Sequence, residues 1–435
     1  MYKGKHVQKK EKSQSKTPIR QTAAFEEEPT QAQAPAAVIT RKAPKAKRQK
    51  KAHGPHYRLK KTLIIICAVL VLMGSMYSVF VFSNNAFIKK WRTIYIETAM
   101  STMTHQWLAT AFIPGSIIDE VMQNAANSNE SQKDISTHWW DNSDNSQSPA
   151  DEKTAFYEKF WELDETDFEA YLDKHPELMK NGYSGLVIDN LDCSDATLQT
   201  KFGEVIRALN VPDNIIVMKV TGSDYVGALA CVKDPAQVTL AKAKNYGSVG
   251  EQIESFCDGN VLAINASGFR DLEGVGNGGT IVGSYVLDGR EYGFPDSNYL
   301  FFGFKQDNRL YISWGIGDKS EYKWAMQFSP ALVANGKSQV EGSNGWGLQP
   351  RSAIGQTKSG EFLMLVVDGR QVGYSLGCTV GECADVMLRH QAYQAANLDG
   401  GSSSIMAYQG KIITKNSSKS TNGRELPNAF VITHP

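Results

Sequence analysis

Charge is missing from Thr62 to Phe82, where TLIIICAVLVLMGSMYSVFVF runs for 21 residues without Asp, Glu, Lys or Arg. At about 1.5 Å per residue, a helix of this length crosses a hydrocarbon layer of about 30 Å. A cleaved signal peptide has a shorter apolar core, a shorter leader and a small-residue cleavage site, and the run fits none of these well. Large apolar side chains are scarce before it, with Phe25, Val38, Ile39 and Tyr57 among the few in the first 61 residues. Such a segment cannot bury enough surface to offset its chain entropy, so residues 1–61 are expected to be a disordered tail. Cysteine is scarce too, six in all, of which Cys67 lies in the apolar run. Their spacing matches no zinc site. The other five are Cys193, Cys231, Cys257, Cys378 and Cys383, an odd number that leaves at least one thiol free or paired outside the chain. Cys378 with Cys383 is one candidate pair, and Cys231 with Cys257 a second.

Net charge is also absent, but only on average. The first 61 residues hold 17 Lys and Arg against four Asp and Glu, or +13, and the remainder is −13. A basic run such as Arg41 to Lys51 suits anionic lipid headgroups beside a membrane span better than nucleic acid, and no nucleic-acid partner is expected. The tail's excess charge places the N-terminus in the cytoplasm and the C-terminal part outside. Lys89, Lys90 and Arg92 on the far side oppose that assignment.

Four regions are expected: a disordered basic cytoplasmic tail (1–61), a transmembrane helix (62–82), a juxtamembrane helical region with a polar linker (83–180), and a globular domain (181–435). Helical spacing runs from Ala86 to about Asn127, a polar linker covers residues 128 to 153, and an amphipathic helix over Ala155 to Leu172 presents Phe156, Phe160, Leu163, Phe168 and Tyr171. Further on, Leu198, Phe202, Val205, Ile206 and Leu209 form a helical stripe ended by Pro212. Capping pairs predict helices at Asp234 with Gln237, at Ser248 with Glu251 up to Gly259, and at Thr379 with Glu382 up to about Ala392. Apolar runs suited to strands cover 215–220, 261–264, 299–304, 309–314, 362–367, 395–398, 405–408 and 430–433. Strands outnumber helices, and no internal repeat occurs. The expected fold is α+β, a mixed or antiparallel sheet with packed helices.

Four segments place polar side chains at the ends of apolar strands. They are Val261 to Phe269 with Asn265, followed by Arg270, Asp271 and Glu273; Gln349 to Gly355 with Arg351, leading into Phe362 to Arg370 with Asp368; Ala395 to Ser403 with Asp399; and Gly423 to Ile432 with Arg424. In the third, Asp399-Gly400-Gly401-Ser402-Ser403 can turn successive backbone N–H groups toward one point, because Gly accepts left-handed conformations. Such a concavity takes an anion, with Asp399 beside it as acid, base or metal ligand. A tight turn is the plainer reading of the same residues. Arg351 and Arg424 each present a planar fork suited to phosphate, although a lone Arg is more often a solvated surface residue. Asp368-Gly369-Arg370 on its own reads as a hairpin turn.

The ordered series INASGF, QPRSAIGQTKSGEFLMLVVDGR, AANLDGGSSS and NGRELPNAFVI resembles the phosphodiester glycosidase family over about residues 181 to 432. That family includes enzymes that remove N-acetylglucosamine from a phosphodiester, and bacterial proteins associated with exopolysaccharide and the cell envelope. The resemblance implies hydrolysis of the bond between a sugar's anomeric carbon and a phosphodiester oxygen. It implies Asp399 as first catalytic carboxylate, Asp368 as second and Glu273 as third. Arg351, Arg424, Gly400, Gly401 and Ser402 would hold the phosphoryl group, and Asn265 would orient the sugar or a water. Oxygen ligands such as Asp399 or Asp271 suit Ca²⁺ or Mg²⁺, although no spacing requires a metal. A polymer-binding or assembly module that keeps the fold without hydrolysis is the alternative, and a purely structural membrane protein a third reading.

Overall fold

The computed structural model describes residues 55–102, 104–139, 151–271 and 276–435. The expected tail, residues 140–150 of the expected linker, and Glu273 lie outside them. The chain forms two compact units, Met1–Ala68 and Val69–Pro435, and their boundary falls within the helix Pro55–Phe82. The second unit is described below.

The strand Phe362–Val367 shows how the domain is built. All six residues, FLMLVV, are buried, as a strand covered on both faces requires. Side chains alternate across a strand. Phe362, Met364 and Val366 accordingly join one apolar layer, while Leu363, Leu365 and Val367 join the other.

This strand lies mid-sheet in a nine-stranded antiparallel array. Its order is Val187–Asp189, Ile206–Asn210, Ile215–Thr221, Val226–Val232, Phe362–Val367, Arg351–Thr357, Ala392–Asn397, Ala331–Ala334, Lys337–Ser338. One face packs on helices Glu152–Lys159, Glu165–Lys174 and Val380–Arg389 through Phe156, Phe168, Leu172, Val380 and Met387. The other meets two five-stranded antiparallel sheets. The first contributes Phe302, Phe304 and Trp324, the second Ile264, Met406 and Phe430. Trp324 lies 4.7 Å centroid to centroid from Phe430, so aromatic packing joins the two smaller sheets. The second small sheet covers its far face with the short helix Ile253–Cys257.

The expected α+β class with antiparallel sheets is what the structure has, and each of the eight apolar runs overlaps a strand. The stripe from Leu198 to Leu209 is not a helix. Gly203 turns at φ +77°, and Ile206–Asn210 pairs with strands on both sides; neighbours able to complete its ladder override a spacing that also fits a helix. Asp234 caps only a single 3-10 turn, Pro235–Gln237, because Val238–Lys242 is drawn out to pair with Asn428–Ile432. The helix expected from Ser248 begins only at Ile253, since Glu251 exchanges backbone hydrogen bonds with Leu426. The Thr379–Glu382 capping box is complete. The single amphipathic helix expected over 155–172 is two helices, capped by Asp151 and Asp164.

Helices Ala86–Met100, Trp107–Thr110 and Gly115–Ser131 follow the apolar helix and share a core of Ile96, Ala99, Ala109, Ile113, Ile118 and Val121. Cys378 and Cys383 are thiols 3.0 Å apart. Cys231, on strand Val226–Val232, and Cys257, at the end of helix Ile253–Cys257, are buried in different apolar clusters, so that second pairing does not form.

Candidate active site

Strand register gathers the four motifs. Arg351 pairs with Val367, so Pro350 and Asp368 leave the sheet side by side. Ala353 pairs with Asn397 on the other flank, which carries Asp399 past the same end. From the second small sheet, Asn265 pairs with Ala429, and Ala266 O then accepts the Asp399 N–H at 3.3 Å.

Asn265 fastens this junction. It is fully buried; its Nδ2 donates to Asp399 O at 2.7 Å, and its Oδ1 accepts from Ser352 Oγ at 2.6 Å and Ile405 N at 3.2 Å. The sequence-based role for Asn265 was contact with sugar or water. Here its side chain is spent on the backbone that positions Asp399.

Burial pushes the Asp399 carboxyl up to about 6, against the pull of the Ser403 hydroxyl, the Gly400 N–H and the Arg424 charge. Tyr299 and Phe328 stack nearby, 5.4 Å apart and 7° from parallel, and the Asp399 charge reaches Tyr299. Gly268 keeps this space open, since a methyl group there would sit 3.1 Å from Phe328 Cε2 and 3.9 Å from Asp399 Cγ.

The glycine turn is less open than its sequence suggested. Gly400 N donates to Asp399 Oδ1 at 3.0 Å, and Gly401 N to Pro350 O at 2.9 Å. Of the three amides expected to cradle an anion, the Ser402 N–H is the one left without a partner among the described residues. Gly401 adopts φ +62°, and a methyl group there would come within 3.1 Å of Arg370 Nη2.

The arginines divide into three settings. Arg351 is 3% exposed, and it donates from Nη2 to Trp346 O and Gly347 O at 2.6 and 2.9 Å and from Nε to Cys378 O at 3.4 Å. It therefore clamps the loop from 346 to 349 rather than projecting its fork. Arg424 is held by Asp271 through both terminal nitrogens, donates to Ser402 Oγ at 3.3 Å and stands over the Phe269 ring. Arg370 is exposed, and its hydrogen bonds run from Nε and Nη2 to Gln349 Oε1 at 2.9 and 2.6 Å. Among the described residues, neither Arg351 nor Arg370 has a carboxylate in ion-pair contact. The residue is exposed as a whole, but its guanidinium end is partly desolvated, which lowers its affinity for the proton, and the Arg351 charge lowers it further. Glu97 acts on Arg351 and Asp399 on Arg370 at longer range, and two neighbouring cations with no carboxylate in contact favour an incoming anion.

Arg370 is the residue the sequence reading left in a turn. It sits at φ +59°, just after the strand it was read to close. Gln349, its partner, also donates from Nε2 to Thr98 O at 3.3 Å and Ser101 Oγ at 3.0 Å, which links helix Ala86–Met100 to the site.

Asp368 is 3% exposed and faces away from this group, accepting from Tyr374 OH at 2.8 Å and Lys415 N at 2.8 Å. Burial raises it to about 6, opposed by those two bonds. Its contacts order the turn at 371–375 and the loop at 415. For a metal, both Asp271 oxygens are already taken by Arg424, and among the described residues no three His, Cys, Asp or Glu side chains converge.

Fold and site define an α+β domain with a half-buried carboxylate and arginines gathered at one end of its sheets. Residues 258–433 match the family described as phosphodiester glycosidase. A Bacillus subtilis protein, the SPbeta prophage-derived uncharacterized protein YomE, is 29% identical over 174 residues, covering 35% of this chain. The match spans only 25% of that relative's length. Among solved structures, the catalytic domain of zebrafish N-acetylglucosamine-1-phosphodiester alpha-N-acetylglucosaminidase, auto-inhibited by its propeptide, is 18% identical with a TM-score of 0.41, covering 51% of this chain and 83% of its own. A hypothetical protein from Synechocystis is 14% identical with a TM-score of 0.42, covering 52% and 63%.

Proposed function

We propose that this protein is a membrane-tethered hydrolase that cleaves a sugar-1-phosphodiester, the bond between an anomeric carbon and a phosphodiester oxygen, in an envelope glycan outside the cytoplasm. The observation that carries the reading is the Asp399 carboxyl, raised to about 6, whose charge reaches an exposed Arg370 that has no carboxylate in ion-pair contact among the described residues. The apolar helix Leu59–Phe82 is long enough to cross a membrane. The +13 charge of the first 61 residues supports a cytoplasmic N-terminus.

In this reading Arg370, Arg424 and the Ser402 N–H hold the phosphoryl group, and the Tyr299–Phe328 stack offers a flat apolar surface to the sugar ring. Arg351 supplies charge from behind and fixes the loop. A phosphodiester oxygen leaves readily, so stabilising the departing anion matters more than a strong acid. Asp399, half-ionised near pH 6, is the carboxylate that handles the proton or the developing charge at the anomeric carbon. Asp368 orders the neighbouring turn.

The test is to incubate the full-length protein in detergent with N-acetylglucosamine-1-phosphodiesters and other sugar-1-phosphodiesters and to measure free sugar, with Asp399→Asn as control. Release by the native protein and not by the variant is the expected result. Binding of these compounds with no release from any of them would replace hydrolysis by a polymer-binding or assembly role.

A further inference from the structure

The apolar helix ending at Phe82 is not the chain's only membrane-like surface. From Thr98 to Ile118 the sequence has no Asp, Glu, Lys or Arg. Within that stretch the short helix Trp107–Thr110 and the turn after it bury Ala109 and Ile113, yet leave Trp107 54% and Phe112 53% exposed, their rings 6.4 Å apart. Two large aromatics facing outward from a stretch without a charged residue are costly in water.

Their position says what covers them. Tyr77 OH donates to Phe112 O at 2.7 Å, and Tyr77 lies five residues before the end of the apolar helix at Phe82. At the helical rise that is about 7 Å back from its end, level with the inner edge of a headgroup layer. Tyr95 OH donates to Leu108 O at 2.7 Å, Phe80 contacts the Tyr95 ring at 6.0 Å, and Arg92 Nη1 caps Phe80 O, Val81 O and Ser83 O. The segment is thus tied along the last turns of the apolar helix. On helix Ala86–Met100, Phe87 and Trp91 form a second exposed aromatic pair with Lys89 and Lys90 between them. Aromatic rings with adjacent lysines suit the boundary between acyl chains and phosphates.

We infer that residues 105–114, with Phe87 and Trp91, enter the lipid headgroup layer and give the domain a second attachment to the bilayer. This rests on the reading of Leu59–Phe82 as a membrane span. A lipid surface is the occupant, because a face level with the last turns of the span is covered by the bilayer before a protein can reach it. One span alone lets a domain swivel; two attachments set its tilt, and with it the direction in which the Asp399 site faces.

Depth measurement by spin label tests this in the full chain, reconstituted into phosphatidylcholine vesicles containing phosphatidylglycerol, with Cys67→Ser and Cys193→Ser as background. Nitroxides are attached in turn to Met73→Cys, Trp107→Cys, Phe112→Cys and Phe294→Cys, and collisions with oxygen and with a water-soluble nickel complex are compared. Phe294 is 88% exposed and serves as the water reference. The expected order is 73 deepest, 107 and 112 intermediate with nickel collisions several-fold below those at 294. If 73 is deep while 107 and 112 match 294, the second attachment is wrong and the span stands. If 73 also matches 294, the span reading falls and the attachment with it.

Discussion

The side-chain amide of Asn265 donates to the main-chain carbonyl of Asp399 at 2.7 Å, across the junction between two sheets. Asn265→Ala strands that carbonyl together with Ser352 Oγ and the Ile405 N–H, its other partners. Each unpaired buried group costs about 1–3 kcal/mol, so a loss of about 2–4 kcal/mol after relaxation is expected in chemical denaturation. Sugar release should fall at least as steeply as stability, because the loop that moves is the one bearing Asp399.

Asp399 destabilises the fold when charged. Its folded pKa of about 6 stands above the ordinary 3.8, so the fold favours the protonated form. The stability it contributes is complete below about pH 4 and is lost as pH rises through 6. Asp399→Asn is therefore expected to melt higher than the native protein at pH 8, by a difference on the order of 1–2 kcal/mol, and to melt alike at pH 4. Thermal melts at the two pH values check this. The same variant should release no sugar.

Arg370 and Arg351 should separate activity from stability. Arg370→Ala removes an exposed side chain whose one hydrogen-bonding partner is Gln349, so melting should hardly change while turnover drops about 100-fold. Arg351→Ala leaves the carbonyls of Trp346 and Gly347 without their donor, while Cys378 O keeps the Gln349 N–H. Its main expected effect is lower stability, with lost activity following from the loosened loop. Melting curves run beside kcat and KM for both variants distinguish the two cases.

Lys233 holds two buried carboxylates, Glu162 at 2.6 Å and Glu361 at 2.8 Å, with 1% of its side chain exposed. Lys233→Ala leaves both acids unpaired beneath the helices that cover the large sheet, and about 3–5 kcal/mol of stability should go with it. Denaturant titration measures the loss.

The parts of the site legible in sequence were those written in a few adjacent residues. Asp399 stood out because an apolar strand runs straight into two glycines, and the Thr379–Glu382 box announced its helix. Arg351 could be located but not aimed: whether its fork meets a ligand or the carbonyls of Trp346 and Gly347 is decided by a loop that only the tertiary fold brings back. Arg370 was disguised by the Asp-Gly pair before it, which reads as a turn whether or not a side chain beyond it faces the site. Tyr299, just before the strand Leu300–Lys305, and Phe328, at the end of Tyr322–Phe328, come from another sheet, and nothing in either segment alone tells a stacking surface from core. Ile206–Asn210 was misread as helical because its apolar spacing fits both periods, and its neighbours in the sheet made the choice.

Gln349 divides one amide between Arg370 on one side and Thr98 and Ser101 on the other. A form cut after Ser101 would lose one end of that relay, and the amide that steadies Arg370 would be free to rotate. In the tethered hydrolase proposed above, a trimmed form and an anchored one would then differ in their chemistry as well as in their location, and trimming would act as a setting of its rate.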